Sequence, residues 1–107
     1  MKKWILLTAA AGLLAASSGQ KTFTGTITDS MCGTKHNMGI SPVAKCVRYC
    51  VNLDPKKWKY ALQVGSKVYV LSDQQTPEKF AAQKVKITGK LYAKTGIIAV
   101  EKIEPAR

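Results

Sequence analysis

The chain has 107 residues, a formal net charge of +11 and three cysteines. This length is enough for one small domain and excludes an architecture of several domains of ordinary size. The basic residues are spread along the chain without a block of five or more, which is typical of a solvated cationic surface. Attraction to an anionic partner is the alternative interpretation of the same charge.

Residues 1–19 have the order of a secretory signal peptide. Two lysines precede an apolar run from Trp4 to Ala16, and small residues follow. The run is too short to span a bilayer, so no transmembrane segment is expected in the mature chain. Cleavage is expected after Ser17, Ser18 or Gly19, which leaves residues 20–107 as the mature domain. The protein is therefore predicted to be exported from a bacterial cell, periplasmic or secreted, which disfavours nucleic acid as a partner.

The first predicted strand lies in "KTFTGTITDS", where Phe23 and Ile27 alternate with threonines up to Asp29. The glycines and asparagine of "CGTKHNMGI" then predict a loop. Ser41 as a cap and Pro42 as the first helical residue predict the start of a helix, which Asp54-Pro55 ends. The predicted apolar, inward face of this helix comprises Val43, Cys46, Val47, Cys50 and Leu53.

The rest of the chain predicts two pairs of strands with a short helix between them. "KWKYALQV" alternates, Gly65-Ser66 is a two-residue hairpin turn, and "KVYVL" is the partner strand. Thr76-Pro77 repeats the pattern of a cap followed by proline and predicts the short helix. "KVKITGKLY" and "IIAVEKIEP", separated by the turn "AKTG", are the last two strands.

This order of elements predicts a mainly β fold. Five strands with a helix between the third and the fourth are the element order of the OB fold. We expect a small five-stranded, OB-like antiparallel barrel, because closure of a sheet removes its exposed edges. A loop and helix that carry the cysteines would be inserted between strands 1 and 2.

The chain resembles a family of small exported bacterial proteins of unknown function (DUF5818). The resemblance is carried by Asp29 to His36 (D-S-x-C-G-x-x-H), Cys46 to Val51 (C-x3-C-V), the hairpin Tyr60 to Leu71 and the V-x-V-x-G-like segment Val85 to Gly89. It covers nearly the whole predicted mature chain and departs from the family pattern at Ala61-Leu62-Gln63, within the hairpin. It implies an OB-like fold and draws attention to Cys32, His36, Cys46 and Cys50, but it implies no established activity.

The soft ligand chemistry of the chain is concentrated between Met31 and Cys50. Cys46 and Cys50 are four residues apart on the predicted helix, so both could reach one metal ion but could hardly bond to each other. Cys32 and His36, on the flexible loop, could complete a Cys3His set for zinc. Copper(I) is the alternative ion, because Met31 and Met38 are additional thioether candidates.

A disulfide between Cys32 and either Cys46 or Cys50 competes with the metal site. An exported domain meets an oxidising compartment, and a closure of ~15 residues would contribute about 3 kcal/mol. One thiol would then be left over.

No catalytic residues are predicted, and no cofactor other than copper or zinc is indicated. The chain has a single histidine and no C-x-x-C motif, so a catalytic triad and a thioredoxin-like site lack support. The expected function is therefore an extracytoplasmic binding module with a Cys/His cluster for a transition metal, not an enzyme. The alternative is a disulfide-stapled module whose cationic surface binds an anionic polymer, an envelope component or a partner protein.

Overall fold

The computed structural model describes residues 19–106. The predicted signal peptide lies outside this range except for Gly19. Within the range, the elements in chain order are β1 (Lys21–Asp29), α1 (Val43–Leu53), β2 (Tyr60–Val64), β3 (Lys67–Leu71), a 3-10 helix (Thr76–Phe80), β4 (Lys84–Tyr92) and β5 (Ile97–Pro105). The fold is mainly β, and the order of elements is the predicted one. No helix in residues 19–106 is long and apolar enough to cross a membrane.

The five strands form a single sheet that closes into a ring in the order β1-β2-β3-β5-β4, with β4 pairing back onto β1. The prediction of an antiparallel barrel is wrong at one joint. β3 and β5 are parallel, and they pair only at Val70–Ile97 and Leu71–Ile98, so the ring closes unevenly. The reason is one of parity: strand directions cannot alternate all the way around a ring with an odd number of strands.

Helix α1 lies in the connection between β1 and β2, as predicted. It ends at Leu53, immediately before the predicted stop at Asp54-Pro55, but its start differs from the prediction. The helix begins at Val43 after an extended Pro42, and Ser41 makes no capping hydrogen bond. Four side chains in the middle of the helix are buried: Cys46, Val47, Cys50 and Val51. Val43 and Leu53 are about half exposed, because only the central turns contact the barrel. The inward position predicted for the two cysteines is confirmed.

The core lies inside the ring and extends to α1. Val47 and Val51 of the helix join a cluster of buried side chains from all five strands, which includes Ile27, Leu62, Leu71, Val85, Ile87 and Ile98. Burial of apolar side chains of this size stabilises the fold by roughly 1.5–3 kcal/mol each. The helix is thus held by apolar contacts next to the end of β1, where the chain enters the cysteine-bearing loop.

Asp73, and not Thr76, closes the turn before the 3-10 helix. Its Oδ1 accepts hydrogen bonds from the backbone N–H groups of Gln75 (2.9 Å) and Thr76 (3.1 Å). The predicted cap at Thr76 is therefore wrong, since this residue is already inside the helix. An aspartate that binds the amides two and three residues ahead is a common turn-forming arrangement, and it recurs at Asp29.

Gly25 is required by the close packing of β1 against β2. A Cβ atom at this position would collide with the carbonyl oxygen of Gln63. We expect Gly25→Ala to lower the free energy of unfolding by about 1–3 kcal/mol, because a backbone group, not a flexible side chain, would have to move. Urea unfolding of this variant and of Thr24→Ala, an exposed neighbour on the same strand, measures the effect. Equal losses in the two variants would contradict the close packing.

Candidate metal centre

The last residues of β1 bring a carboxylate into the interior and turn the chain into the cysteine-bearing loop. Thr28 and Asp29 are both almost completely buried. Asp29 Oδ1 accepts hydrogen bonds from the backbone N–H groups of Met31 (3.0 Å) and Cys32 (2.7 Å). The Asp29 carbonyl accepts a further bond from Gly33 N–H, and Gly33 has the positive φ of 64° that suits a residue without a side chain. These bonds fold Cys32 back towards α1.

Helix α1 supplies the other two thiols. Cys46 and Cys50 are separated by four residues, point to the same side of the helix and are fully buried. The three Sγ atoms of Cys32, Cys46 and Cys50 lie within 4.8 Å of one another. The structure therefore brings together three cysteines from two separate elements.

The thiols of Cys32 and Cys50 are in contact, with their Sγ atoms 3.4 Å apart. All three cysteines are free thiols, so neither predicted disulfide, Cys32–Cys46 or Cys32–Cys50, is formed. A disulfide bond would need the sulfurs at about 2.0 Å. The contact nevertheless places the Cys50 thiol against the Cys32 thiol.

The two methionines of the loop have different positions. Met38 Sδ accepts a hydrogen bond from Cys50 Sγ at 3.6 Å, although the residue is 42% exposed. The backbone N–H of Met31 donates a hydrogen bond to Asp29 Oδ1, and the residue is 39% exposed. Met38 is thus the methionine whose sulfur contacts the thiol cluster.

His36 faces the end of β1. Its Nε2 lies 2.9 Å from Thr28 Oγ1, and the Thr28 hydroxyl also contacts the Gly33 carbonyl oxygen at 2.7 Å. A carbonyl oxygen only accepts hydrogen bonds, so the Thr28 hydroxyl donates its single proton to the Gly33 carbonyl. His36 Nε2 must therefore donate its proton to Thr28 Oγ1. The other ring nitrogen, Nδ1, lies 3.6 Å from Asp29 Oδ2.

These residues form two groups of potential metal ligands that share one member. The first group is Cys32, Cys46 and Cys50, and the second is Asp29, Cys32 and His36, with ligand atoms in each group within 4.8 Å of one another. The predicted ligands are therefore all in the same region, but His36 is grouped with Cys32 and Asp29. Sulfur, imidazole and carboxylate are the ligands that zinc uses in proteins, and thiolates with a thioether suit copper(I).

Asp29 is the site residue that the sequence did not reveal. Its position at the end of a strand predicts a turn residue, and it does have that role. The available signal was its place three residues before Cys32 in the D-S-x-C-G-x-x-H segment. Complete burial of the carboxylate, which makes it a potential ligand, depends on α1 and the barrel covering it.

The protein environment favours the protonated form of the Cys32 and Cys50 thiols when no cation is bound, because the pKa of each is raised. Burial raises the pKa of Cys50, and the contact with Cys32 and the negative charge of Asp29 raise it further. Burial also raises the pKa of Cys32, an effect that the contact with Cys50 partly offsets. A metal ion would have to displace these protons, so its affinity should rise with pH.

Comparison of the chain with protein-family models, curated proteins and solved structures gave no match.

The raised thiol pKa values predict that the metal-free, reduced protein loses stability in alkaline solution. The thiols of the unfolded chain ionise with an ordinary cysteine pKa of 9.0, whereas the folded-state pKa of Cys50 is higher. The stability contributed by the neutral thiol is complete below about pH 9 and is lost as the pH rises towards the folded-state pKa. The loss is up to about 1.4 kcal/mol per pH unit for each such thiol. Urea unfolding between about pH 7 and about pH 10 measures it.

Cys50→Ser is the control for this measurement, because a hydroxyl does not titrate in this range. Its free energy of unfolding should fall less steeply with pH than that of the unmodified protein. Equal slopes for both proteins would show that groups other than Cys50 govern the alkaline loss.

Proposed function

We propose that this protein is an extracytoplasmic binding module, not an enzyme, and that it binds one soft transition-metal ion, copper(I) or zinc, through Cys32, Cys46 and Cys50. The observation that carries the proposal is the convergence of three thiol sulfurs within 4.8 Å from two separate elements. Two of these thiols are buried and the third is partly exposed, so the cluster lies at the edge of the interior, where an ion could reach it. Thiolates are strong ligands for both ions.

The barrel belongs to this proposal as an OB-like scaffold. The ring order β1-β2-β3-β5-β4, with a short helix between β3 and β4, supports that assignment. In this scaffold the site occupies the connection between the first two strands, and the core contacts of α1 hold two of the three ligands rigidly. Export to the periplasm or the medium rests on the signal-like residues 1–19 and on the resemblance to DUF5818-like proteins.

The second candidate function is a disulfide-stapled module that binds an anionic partner. Two observations favour it. Cys32 Sγ and Cys50 Sγ are already in contact at 3.4 Å. The surface is strongly basic, and among residues 19–106 a single ion pair, Lys102–Glu104, joins a lysine to a carboxylate. Binding of a polyanion would weaken steeply with ionic strength, whereas thiolate–metal binding would not.

Cys46 distinguishes the two functions. In the metal module it is a ligand, so Cys46→Ser should lower the affinity for copper(I) or zinc by more than about 100-fold. In the stapled module Cys32 and Cys50 form the bond, and Cys46→Ser should change nothing but the count of free thiols. Metal content, intact mass and thiol labelling of the protein as secreted, without added reductant, measure these outcomes.

For the metal module we expect about one ion per chain at this site and three thiols that are protected until a chelator is added. For the stapled module we expect one labelled thiol, a mass two hydrogens below the reduced form and no stoichiometric metal. Three freely labelled thiols without metal would contradict both functions.

The methionines provide a matched pair that identifies the ion. Met38→Leu should weaken copper(I) binding about tenfold, because the thioether contacts Cys50, whereas Met31→Leu should not change it. Neither substitution should affect zinc, which is bound by thiolate, imidazole and carboxylate ligands. Competition titration of both variants against a copper(I) chelator makes the measurement. Equal weakening in the two variants would contradict the assignment of Met38.

A further inference from the structure

The two oxygens of the Asp29 carboxylate are used differently. Oδ1 binds the amides of Met31 and Cys32, and Oδ2 is buried without a hydrogen-bond partner in the described structure. Asp73 makes the same turn with its own Oδ1, yet it remains partly exposed to solvent. Forming the turn therefore does not require burial of the carboxylate. The buried Oδ2 of Asp29 calls for another explanation, because an unsatisfied buried oxygen is costly.

The atom that faces Asp29 Oδ2 is also unsatisfied. His36 Nδ1 is buried and has no hydrogen-bond partner in the described structure. Since Nε2 of His36 carries the proton donated to Thr28, Nδ1 of the neutral ring presents a lone pair. Two lone pairs thus face each other across 3.6 Å. A cation between them would satisfy both atoms at once.

The separation of the two atoms suits a metal ion. Zinc lies about 2.0–2.2 Å from histidine nitrogen and carboxylate oxygen, which places two tetrahedral ligands roughly 3.4 Å apart. The observed 3.6 Å is close to this value. The Cys32 thiol is grouped with these two residues, since one ligand atom of each lies within 4.8 Å of the others. The His36 side chain is 12% exposed, so an ion can reach the position from solvent.

We propose that Asp29 Oδ2, His36 Nδ1 and Cys32 Sγ form a second cation position, for a divalent ion of borderline hardness such as Zn²⁺. The position adjoins the three-thiol site, and Cys32 would bridge the two ions. Only this bridging rests on the proposed function, since the Asp29–His36 pair is unsatisfied whatever the other cysteines bind.

The charges of the cluster are consistent with two ions. With every cysteine deprotonated, three thiolates and the Asp29 carboxylate carry four negative charges. Two divalent cations balance these charges, whereas one divalent cation would leave a buried net negative charge, which is costly in a low-dielectric interior.

Cobalt(II), a spectroscopic substitute for zinc, tests the second position independently of the three-thiol site. In the Cys46→Ser protein the three-thiol site is incomplete, and we expect one Co²⁺ per chain with the charge-transfer absorption of a single thiolate. Adding Asp29→Asn should lower this affinity more than about 100-fold, because the amide nitrogen is not a metal ligand. Asp73→Asn, the matched control, should leave the binding unchanged. Failure of the Cys46→Ser protein to bind Co²⁺, or equal binding after Asp29→Asn, would overturn the second position.

Binding to the unmodified protein separates this proposal from the proposed function. Two Co²⁺ or Zn²⁺ ions per chain, with one lost in Cys46→Ser and the other in Asp29→Asn, support both. One ion that Cys46→Ser removes and Asp29→Asn retains overturns the second position alone. One ion that only Asp29→Asn removes supports the second position and contradicts the three-thiol site. One ion that either substitution removes means a single composite site and overturns the second position.

The thermal stability of the metal-free protein tests the proposal without a binding measurement. In Asp29→Asn the retained oxygen can still bind the loop amides, and the new N–H₂ group can donate to His36 Nδ1. Both unsatisfied atoms are thereby removed, and we expect the Tm of the metal-free, reduced protein to rise by roughly 5 °C. If Asp29 and His36 instead formed an ordinary ion pair, the same substitution would lower the Tm, and that outcome would overturn the proposal.

Discussion

The buried carboxylate of Asp29 is the interaction on which the rest of the site depends. One oxygen holds the amides of Met31 and Cys32, and this determines where the Cys32 thiol lies relative to α1. The other oxygen lies beside His36. The loop therefore needs an oxygen acceptor at this position to keep its shape. Burial of the charge that the carboxylate carries favours a cation nearby. The shape of the loop and the proposed metal binding thus depend on the same side chain.

The barrel provides the rigid half of this arrangement. β1 is paired on both sides, with β2 and with β4, so its last residues have little freedom. Helix α1 is held by Val47 and Val51, which alternate with Cys46 and Cys50 on the buried side. The same face of the helix thus contributes both to the apolar core and to the thiol cluster. The two helix cysteines are preorganised, and Cys32 reaches them from the loop, whereas His36 is grouped with Cys32 and Asp29. Preorganised ligands favour strong metal binding.

Much of the fold could be predicted from the sequence. The alternation of apolar residues in Lys21–Asp29, Lys67–Leu71, Lys84–Tyr92 and Ile97–Pro105 indicated four of the five strands with their observed bounds. The spacing of Cys46 and Cys50 indicated their common, inward side. These properties are local, since a period of two or of 3.6 residues depends on neighbours in the chain. The starts and caps of the helices were predicted less well. Pro42 precedes the first helical residue, where Ser41 was expected as the cap. Asp73 accepts the turn hydrogen bonds before the 3-10 helix, where Thr76 was expected as the cap.

The site itself was decided partly by tertiary structure. The sequence alone determined which side chains could bind a metal and that they lie between Met31 and Cys50. Only the folded chain decided that the Cys32 thiol contacts that of Cys50, that Met38 and not Met31 contacts a thiol, and that His36 faces Asp29. The physical reason is that these contacts join a strand end, a loop and a helix that are brought together by core packing. No local period encodes such contacts, and the burial that turns Asp29 from a turn residue into a potential ligand exists only after the ring has closed.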